Sequence, residues 1–182
     1  MNYYGPREMA DSFRTVRRNT IQIAQEIPEE KYGFRPADDV RTVEKLLTHI
    51  ALLHTFNKQV HLVERRSAVG GFNFPELMKQ MREDEAKPRT KAGVLELLAT
   101  NGEEWAARLE GLSDEFLAER VQMMPGTEPE SKSRFEMLIS VKEHEMHHRG
   151  QLMLVERMLG IVPHLSRQAQ ERMAAMEASR KG

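Results

Sequence analysis

Proline and glycine interrupt this sequence at intervals that leave long segments of helix-favouring residues, and these segments decide the fold class. The segments are rich in Leu, Met, Ala, Glu, Arg and Lys, whereas runs of alternating β-branched residues, which are typical of strands, are missing. Proline is accepted in a first helical turn, and proline or glycine commonly follows a last one. The sequence therefore predicts an all-α protein whose helices pack as a four-helix bundle with an additional C-terminal helical segment.

The helix boundaries can be placed from these interruptions and from capping residues. Long helices are predicted over 6–27, 40–64, 90–112 and 133–159. Thr90 is a suitable N-cap residue, and Ser133 and Glu136 have the spacing of a capping box. Residues 72–81 are predicted as a loop or short helix, and 121–131 as a connecting loop. A final amphipathic piece follows Pro163, with these residues on one side: Leu165, Ala169, Met173 and Met176.

Length and charge limit the domain organisation and the partners. With 182 residues, the chain is expected to form one domain over 1–182 and to bury a core of its own. Its 27 Lys and Arg residues nearly balance 28 Asp and Glu residues, so no basic field is available to bind a nucleic acid or an anionic membrane. The sequence has no apolar stretch typical of a signal peptide or a membrane span, and we expect a cytoplasmic protein.

Cysteine is absent from the sequence. This excludes disulfides, thiolate metal ligands and a thiol nucleophile carried by the protein itself. Any metal ion must be bound by nitrogen and oxygen ligands.

The histidines cluster on two predicted helices. His144, His147 and His148 lie on the fourth, whereas His49 lies on the second. Because an α-helix has about 3.6 residues per turn, positions four apart share a face, so His144 and His148 can point at one ion while His147 shares only the edge of that face. The spacing of the neighbouring apolar residues places His49, His144 and His148 within the buried stripes of their helices.

Three buried imidazoles need partners, because burying an unpaired one costs on the order of 1 to 3 kcal/mol. Hydrogen bonds to backbone carbonyls or glutamates are one solution, and a shared divalent metal ion is the interpretation we favour. Three neutral imidazoles leave a coordination position open, as in catalytic sites. Zn²⁺ or Ni²⁺ is expected, and Mn²⁺ or Fe²⁺ is compatible with nitrogen ligands. His54 and His61, seven residues apart, are expected on a solvated edge, with a weak second metal site as the alternative.

Two motifs resemble the DinB-like superfamily. The first is the string from His144 to Gln151, His-Glu-Met-His-His-Arg-Gly-Gln. The second begins with Tyr32, Phe34 and Pro36 and continues through Thr-Val-Glu-Lys-Leu-Leu-Thr-His-Ile-Ala over 42–51. The resemblance implies an up-down four-helix bundle with an atypical connection, a metal site of three histidines and often a homodimer.

The resemblance also implies roles for individual residues. His49, His144 and His148 match the ligand positions, while His147, Arg149 and Gln151 match the motif without being ligands and are expected to support the site by hydrogen bonding or packing. Characterised relatives include thiol-dependent S-transferases, so the resemblance implies a metal-dependent transferase that acts on small electrophiles. The nucleophile would then come from a low-molecular-weight thiol cosubstrate, which agrees with the absence of cysteine.

Two other interpretations stay open. The segment His144 to His148 contains a literal H-E-x-x-H string, the hallmark of zinc proteases in which the glutamate, here Glu145, is the general base. The downstream extension of that motif fails, and a solvated or partner-pairing carboxylate is the alternative role for Glu145. The chain could also bind metal without catalysis, as a stress-associated protein.

Overall fold

The computed structural model describes residues 4–180 and is mostly helical. Its helices and strands, in chain order, are α1 (Pro6–Glu26), α2 (Val43–Leu52), α3 (Thr55–Asn57), α4 (Phe74–Ala86), α5 (Lys91–Glu110), α6 (Asp114–Ala118), β1 (Arg120–Gln122), β2 (Ser131–Ser133), α7 (Arg134–Met158) and α8 (His164–Ser179). A 3₁₀ turn (Glu29–Lys31) follows α1, and a π-helical turn (Lys58–Val63) follows α3. The all-α class predicted from the sequence is confirmed.

Local side-chain chemistry explains where the longest helices begin. The Thr90 hydroxyl accepts a hydrogen bond from the Gly93 amide at the start of α5. At the start of α7, the Ser133 hydroxyl accepts from the Glu136 amide, and the Glu136 carboxylate accepts from the Ser133 amide. Both predicted caps are therefore present, and they satisfy backbone donors that a helix start leaves unpaired.

Helices α1 and α7 run parallel to each other. The Lys142 ammonium donates to the Ser12 hydroxyl near one end of the pair, and Arg17 binds Glu145 one turn further along both helices. Because the residue numbers rise together along both helices, the two have the same direction.

Helices α2 and α5 also run parallel to each other. The Arg89 amide, just before α5, donates to Glu44 near the start of α2. Further along both segments, the Lys58 ammonium lies 3.0 Å from Oε1 of Glu104. The π-helical turn that continues α2 packs against the start of α7, where Arg134 contacts His61, so α2 and α7 are antiparallel. The bundle therefore runs up, down, down, up. Its atypical connection is the one between α2 and α5, which contains α4.

Helices α1 and α2 are neighbours in sequence but not in space. Helix α1 packs against α5 and α7, and α2 packs against the same two helices, which places α1 and α2 diagonally across the bundle. Residues from α2 and α7 can therefore meet although nearly a hundred residues separate them in sequence.

Three segments differ from the sequence-based prediction. The second helix is not continuous, because α2 ends at Leu52 and the chain then passes through α3 and the π-helical turn. Helix α4 extends to Ala86, five residues beyond the predicted short element. The predicted loop over 121–131 is bordered by a two-stranded antiparallel ladder that pairs Arg120 with Ser133.

Helix α8 lies largely outside the bundle. Its first residue, His164, is buried, but Met173 and Met176 on its apolar side are 63% and 60% exposed. Among residues 4–180, no helix combines the length and the apolar character that crossing a membrane requires.

Candidate metal centre

The structure brings together the three histidines that the sequence predicts as metal ligands. One ring nitrogen from each of His49, His144 and His148 lies within 4.8 Å of the other two. The Nε2 atoms of His144 and His148 are 2.9 Å apart. The His49 ring, on α2, faces both, with its centroid 5.0 Å from that of His148 and 5.5 Å from that of His144.

Hydrogen bonds hold two of these imidazoles in a form suited to metal binding. The Nδ1 atom of His148 lies 2.8 Å from the amide oxygen of Gln151, which can only accept, so Nδ1 carries the proton and Nε2 carries the lone pair. The Nδ1 atom of His49 lies 2.6 Å from a carboxylate oxygen of Glu85, which assigns the lone pair of that ring to Nε2 as well. Metal-ligating histidines usually have such partners on the second nitrogen.

Partial or complete burial keeps the three imidazoles neutral. It lowers the pKa of His148 to about 4 and lowers the pKa values of His49 and His144 as well; the neighbouring Glu85 only partly opposes the effect at His49. At neutral pH, all three rings can therefore offer lone pairs. The nitrogen donor set suits Zn²⁺, Ni²⁺, Mn²⁺ or Fe²⁺, so the residues present are compatible with the ion that the sequence predicts.

The three histidines are not equally buried, which corrects the stripe prediction. His148 is buried and His49 is half-buried, but His144 is exposed. The buried stripe of α7 runs through Val141, Glu145, His148 and Leu152, so Glu145 takes the place predicted for His144. The triad thus lies at the rim of the core rather than inside it.

Glu145 is fully buried and belongs to a structural ion pair. Arg17 binds both of its carboxylate oxygens, at 2.9 Å from Nε to Oε1 and 2.9 Å from Nη2 to Oε2. The same guanidinium donates to the backbone carbonyls of Leu98 and Ile50, so it joins the four helices of the bundle, α1, α2, α5 and α7. This geometry matches the partner-pairing alternative for Glu145 and argues against a general-base role, because Arg17 binds both oxygens of that carboxylate.

A glycine makes room for this ion pair. A Cβ atom at Gly102 on α5 would lie 2.7 Å from Cγ and 2.9 Å from Nη1 of Arg17. Any side chain there would displace the guanidinium from its partners.

The other motif residues differ in their relation to the triad. Gln151 orients His148, as described above. His147 is exposed, with its ring centroid 5.1 Å from that of His148 and its Nε2 3.3 Å from the Gln151 amide nitrogen. Arg149 makes no hydrogen bond to the triad in the described part of the chain, and its buried Nε has no partner there. Thus Gln151, and not Arg149, has the contact expected of a supporting residue.

His54 and His61 are buried, whereas the sequence predicted a solvated edge. His54 packs beside Trp105, with ring centroids 5.6 Å apart, and His61 is completely inaccessible to solvent. The π-helical turn explains the difference at His61, since it changes the helical register after α3 and turns this side chain inward.

A cavity of about 680 Å³ adjoins the triad. His148 and Gln151 line it from α7 and Glu85 from α4, and most of the remaining lining is apolar: Phe34, Pro36, Val40, Val43, Leu46, Leu154 and Val155. Its size is in the range of small-molecule sites.

Glu85 and the cavity wall around it were not predicted from the sequence. Glu85 binds His49 with one oxygen and Arg41 with the other, at 3.1 Å from Nε. Helix α4 was predicted to end before this residue, and one acidic side chain in the run from Arg82 to Ala86 carries no signal that separates it from its neighbours.

Comparison with known proteins identifies the family. A family profile described as the DinB superfamily matches residues 12–152, which is most of the chain. The chain therefore belongs to the DinB superfamily. The protein YjoA of Bacillus subtilis (strain 168), which is uncharacterized, is 24% identical over 153 residues, covering 84% of this chain and 90% of YjoA.

Solved structures show the same fold. The crystal structure of the DinB-like protein YjoA has a TM-score of 0.61 at 23% identity and covers 84% of this chain and 92% of its own. YfiT from Bacillus subtilis, described as a probable metal-dependent hydrolase with an unusual four-helix bundle topology, has a TM-score of 0.66 at 16% identity, covering 88% of this chain and 91% of YfiT. These similarities support the bundle predicted from the sequence.

Proposed function

We propose that this protein is a divalent-metal-dependent enzyme that acts on small molecules, with His49, His144 and His148 as the metal ligands. The observation that carries the proposal is the convergence of three neutral imidazoles beside a cavity of about 680 Å³. A divalent ion held by three imidazoles has an open position, where it can lower the pKa of a bound water or thiol and polarise a substrate oxygen.

The residues around the triad have separate tasks in this proposal. Gln151 and Glu85 hold the imidazole rings in place through their Nδ1 atoms. The apolar wall of the cavity would bind the body of the substrate and exclude water from it. Arg41 is held against Glu85 and lines the same cavity, so it would fix the carboxylate rather than act on substrate directly.

Hydrolysis is the reaction we favour. The structural neighbour YfiT is described as a probable metal-dependent hydrolase. In this reaction a water molecule activated at the centre would be the attacking group. Proteolysis by the H-E-x-x-H mechanism is not part of the proposal, because Glu145 is enclosed with Arg17.

Transfer of a low-molecular-weight thiol to a small electrophile is a second candidate. The cavity volume favours it, since about 680 Å³ can accommodate two small molecules at once. The two reactions are separable by experiment. Small carboxylic esters and activated electrophiles should be offered to the metal-loaded protein with and without an added thiol. Turnover in water alone supports hydrolysis, and turnover that requires the thiol and yields an S-linked product supports transfer.

The metal centre itself is tested by a matched pair of variants on α7. His144→Ala removes an exposed proposed ligand, and His147→Ala removes an exposed histidine outside the triad. We expect His144→Ala to weaken metal binding by more than about 100-fold, beyond the 10- to 100-fold typical of supporting residues, and to abolish turnover. We expect His147→Ala, which removes at most a contact to Gln151, to weaken metal binding by no more than about tenfold and to keep turnover. Metal analysis by mass spectrometry and titration with Zn²⁺ or Ni²⁺ measure the effect. Equal metal content in both variants would contradict the proposal.

We also propose that the protein is a homodimer. Leu154 and Met158, four residues apart on one face of α7, and Val162 just after the helix are each at least 50% exposed, and grouped apolar side chains of this kind mark interaction surfaces. Sedimentation of the protein and of a Met158→Lys variant tests this. A dimer that the substitution dissociates supports the proposal, and a monomer at all concentrations contradicts it.

A further inference from the structure

A second cavity, of about 370 Å³, lies near the N-terminal end of α7. Its lining includes His61, Leu62, Arg65, Leu112, Ser113 and Phe116. Arg134, which contacts His61, begins α7 ten residues before His144, and this spacing corresponds to about 15 Å of helix. The cavity therefore does not belong to the candidate metal centre.

His61, one of the residues around this cavity, has an unpaired hydrogen-bond donor. Its side chain is completely inaccessible to solvent, so it lies beneath the cavity surface. The Nη1 atom of Arg134 lies 3.0 Å from Nδ1 of His61, and because a guanidinium can only donate, Nδ1 carries the lone pair and Nε2 carries the proton. That Nε2 has no hydrogen-bond partner within residues 4–180. Buried donors without partners are rare in native structures.

Arg65 supplies positive charge at the same cavity. Its side chain is exposed and makes no ion pair with a described residue, while its guanidinium lies 5.3 Å from the centre of the Phe116 ring. Arg134 lies over the same ring at 4.7 Å, but Glu119 neutralises it at 2.8 Å. Of these two arginines, Arg65 is therefore the one whose charge is not balanced by a carboxylate of residues 4–180.

The backbone around Arg65 and His61 is irregular. Arg65 has φ 49°, in the left-handed region that a residue with a long side chain rarely adopts, and His61 lies in the π-helical turn Lys58–Val63. Both features are concentrated at functional sites, where they direct side chains that a regular helix would turn away. Here they place a buried N–H donor and a guanidinium without an ion-pair partner among residues 4–180 around one cavity.

We propose that this cavity is a second binding site, for a small oxyanion such as a carboxylate or a phosphate. The guanidinium of Arg65 would donate to the anion, and the Nε2–H group of His61 would donate once the side chains that cover it move aside. Leu62, Leu112 and Phe116 would contact the apolar part of the ligand. Burial and the neighbouring Arg134 lower the pKa of His61 to about 4, so this imidazole is a neutral donor at pH 7 and the charge comes from Arg65.

Histidine NMR with selective detection of the imidazole nitrogens tests this site directly. Inorganic phosphate and benzoate are titrated into the zinc-loaded protein at constant ionic strength, and the ¹⁵N resonances of His61 are compared with those of the triad. Arg65→Gln removes the free guanidinium, and Arg172→Gln, at an exposed position on α8, is the matched control with the same change of charge. Neither substitution removes a buried side chain.

We expect a saturable shift of the His61 resonances without a matching shift of the triad. Arg65→Gln should weaken the apparent affinity at least about tenfold, as expected from loss of a charge-assisted hydrogen bond, while Arg172→Gln should leave it unchanged. Saturation by phosphate alone or by benzoate alone identifies which oxyanion the site prefers. The proposal is overturned if neither probe shifts His61, or if the shifts are non-saturating and equal in the two variants.

Discussion

Between His144 and His148, the two sides of α7 carry two different kinds of polar residue. The side that faces the core carries the ion-paired Glu145, and the side that faces the rim carries the candidate metal ligands. On the core side, both oxygens of Glu145 are bound by Arg17, and two further N–H groups of that guanidinium bind backbone carbonyls. On the rim side, His148 and His49 each use one nitrogen to bind an anchoring residue and keep the other directed at the triad. A buried polar group whose bonds are all internal is structural, whereas one with a lone pair left over beside a cavity can bind a ligand.

Helix geometry separates the two sides within five residues. At about 100° per residue, Glu145 lies a quarter turn or more from His144, while His148 returns to within about 40° of it. The H-E-x-x-H string is therefore divided between two environments. The string is identical to a catalytic motif, but its glutamate and its histidines point in different directions, so the match in sequence does not imply the motif's function.

The largest expected effect comes from breaking the core side. Arg17→Met leaves the Glu145 charge buried without a partner, and we expect the free energy of unfolding to fall by about 3 to 5 kcal/mol, measured by urea denaturation. Arg14→Met is the matched control on the same helix; its ion pairs with Glu103 and Glu110 are at the surface and should contribute less than about 1 kcal/mol. Similar losses in the two variants would contradict the distinction.

A second prediction concerns Glu156, in the last turn of α7 on the core side. Burial, together with the charge of Glu26, raises the pKa of this carboxyl to about 7, so the folded protein binds its proton more tightly than the unfolded chain does. Stability from this group is therefore complete below the unfolded pKa of about 4.5 and is lost as pH rises toward 7. Between pH 5.5 and 7.5, the wild type should lose about 2 kcal/mol more than Glu156→Gln does. Parallel pH profiles of the two proteins would refute this assignment.

The smallest expected effect concerns the anchoring residues on the rim side. Glu85→Ala and Gln151→Ala free the Nδ1 atoms of His49 and His148, and we expect each to weaken metal binding by about tenfold while leaving one site per chain. Glu83→Ala, at an exposed position on the same helix as Glu85, controls for the loss of negative charge. Competition with a chromophoric chelator measures these affinities. Unchanged affinity in both anchoring variants would show that the rings are oriented by packing alone.

The sequence predicted most of the helices, but not the local irregularities that decide which histidines are buried. Helix starts at Thr90 and Ser133 were predictable, because capping is a local interaction. The break after Leu52 was not, since a π-helical turn depends on packing across the bundle and has no local signature. For that reason, His61 was expected at the surface and lies in the interior.

The histidine cluster was predictable, because residues four apart on a helix share a face. How deeply each histidine is buried was not predictable. Apolar periodicity places His144 in the stripe, yet the ion pair of Arg17 with Glu145 moves the centre of the buried face toward Glu145. An ion pair between residues 128 positions apart cannot be inferred from either local segment. Glu85 was missed for the same reason, since its partner lies 36 positions away.

The absence of a side chain at Gly102 has a consequence for how this sequence can change. A side chain at position 102 would occupy the space that Arg17 fills, and Arg17 is the ion-pair partner of Glu145. Substitutions at these three positions, on α1, α5 and α7, are therefore coupled. A larger residue at 102 is tolerable only with a smaller or apolar one at 17, and that exchange in turn favours an apolar residue at 145. Among relatives, these three positions should vary together, while the histidines on the opposite side of α7 are free to be retained or lost independently.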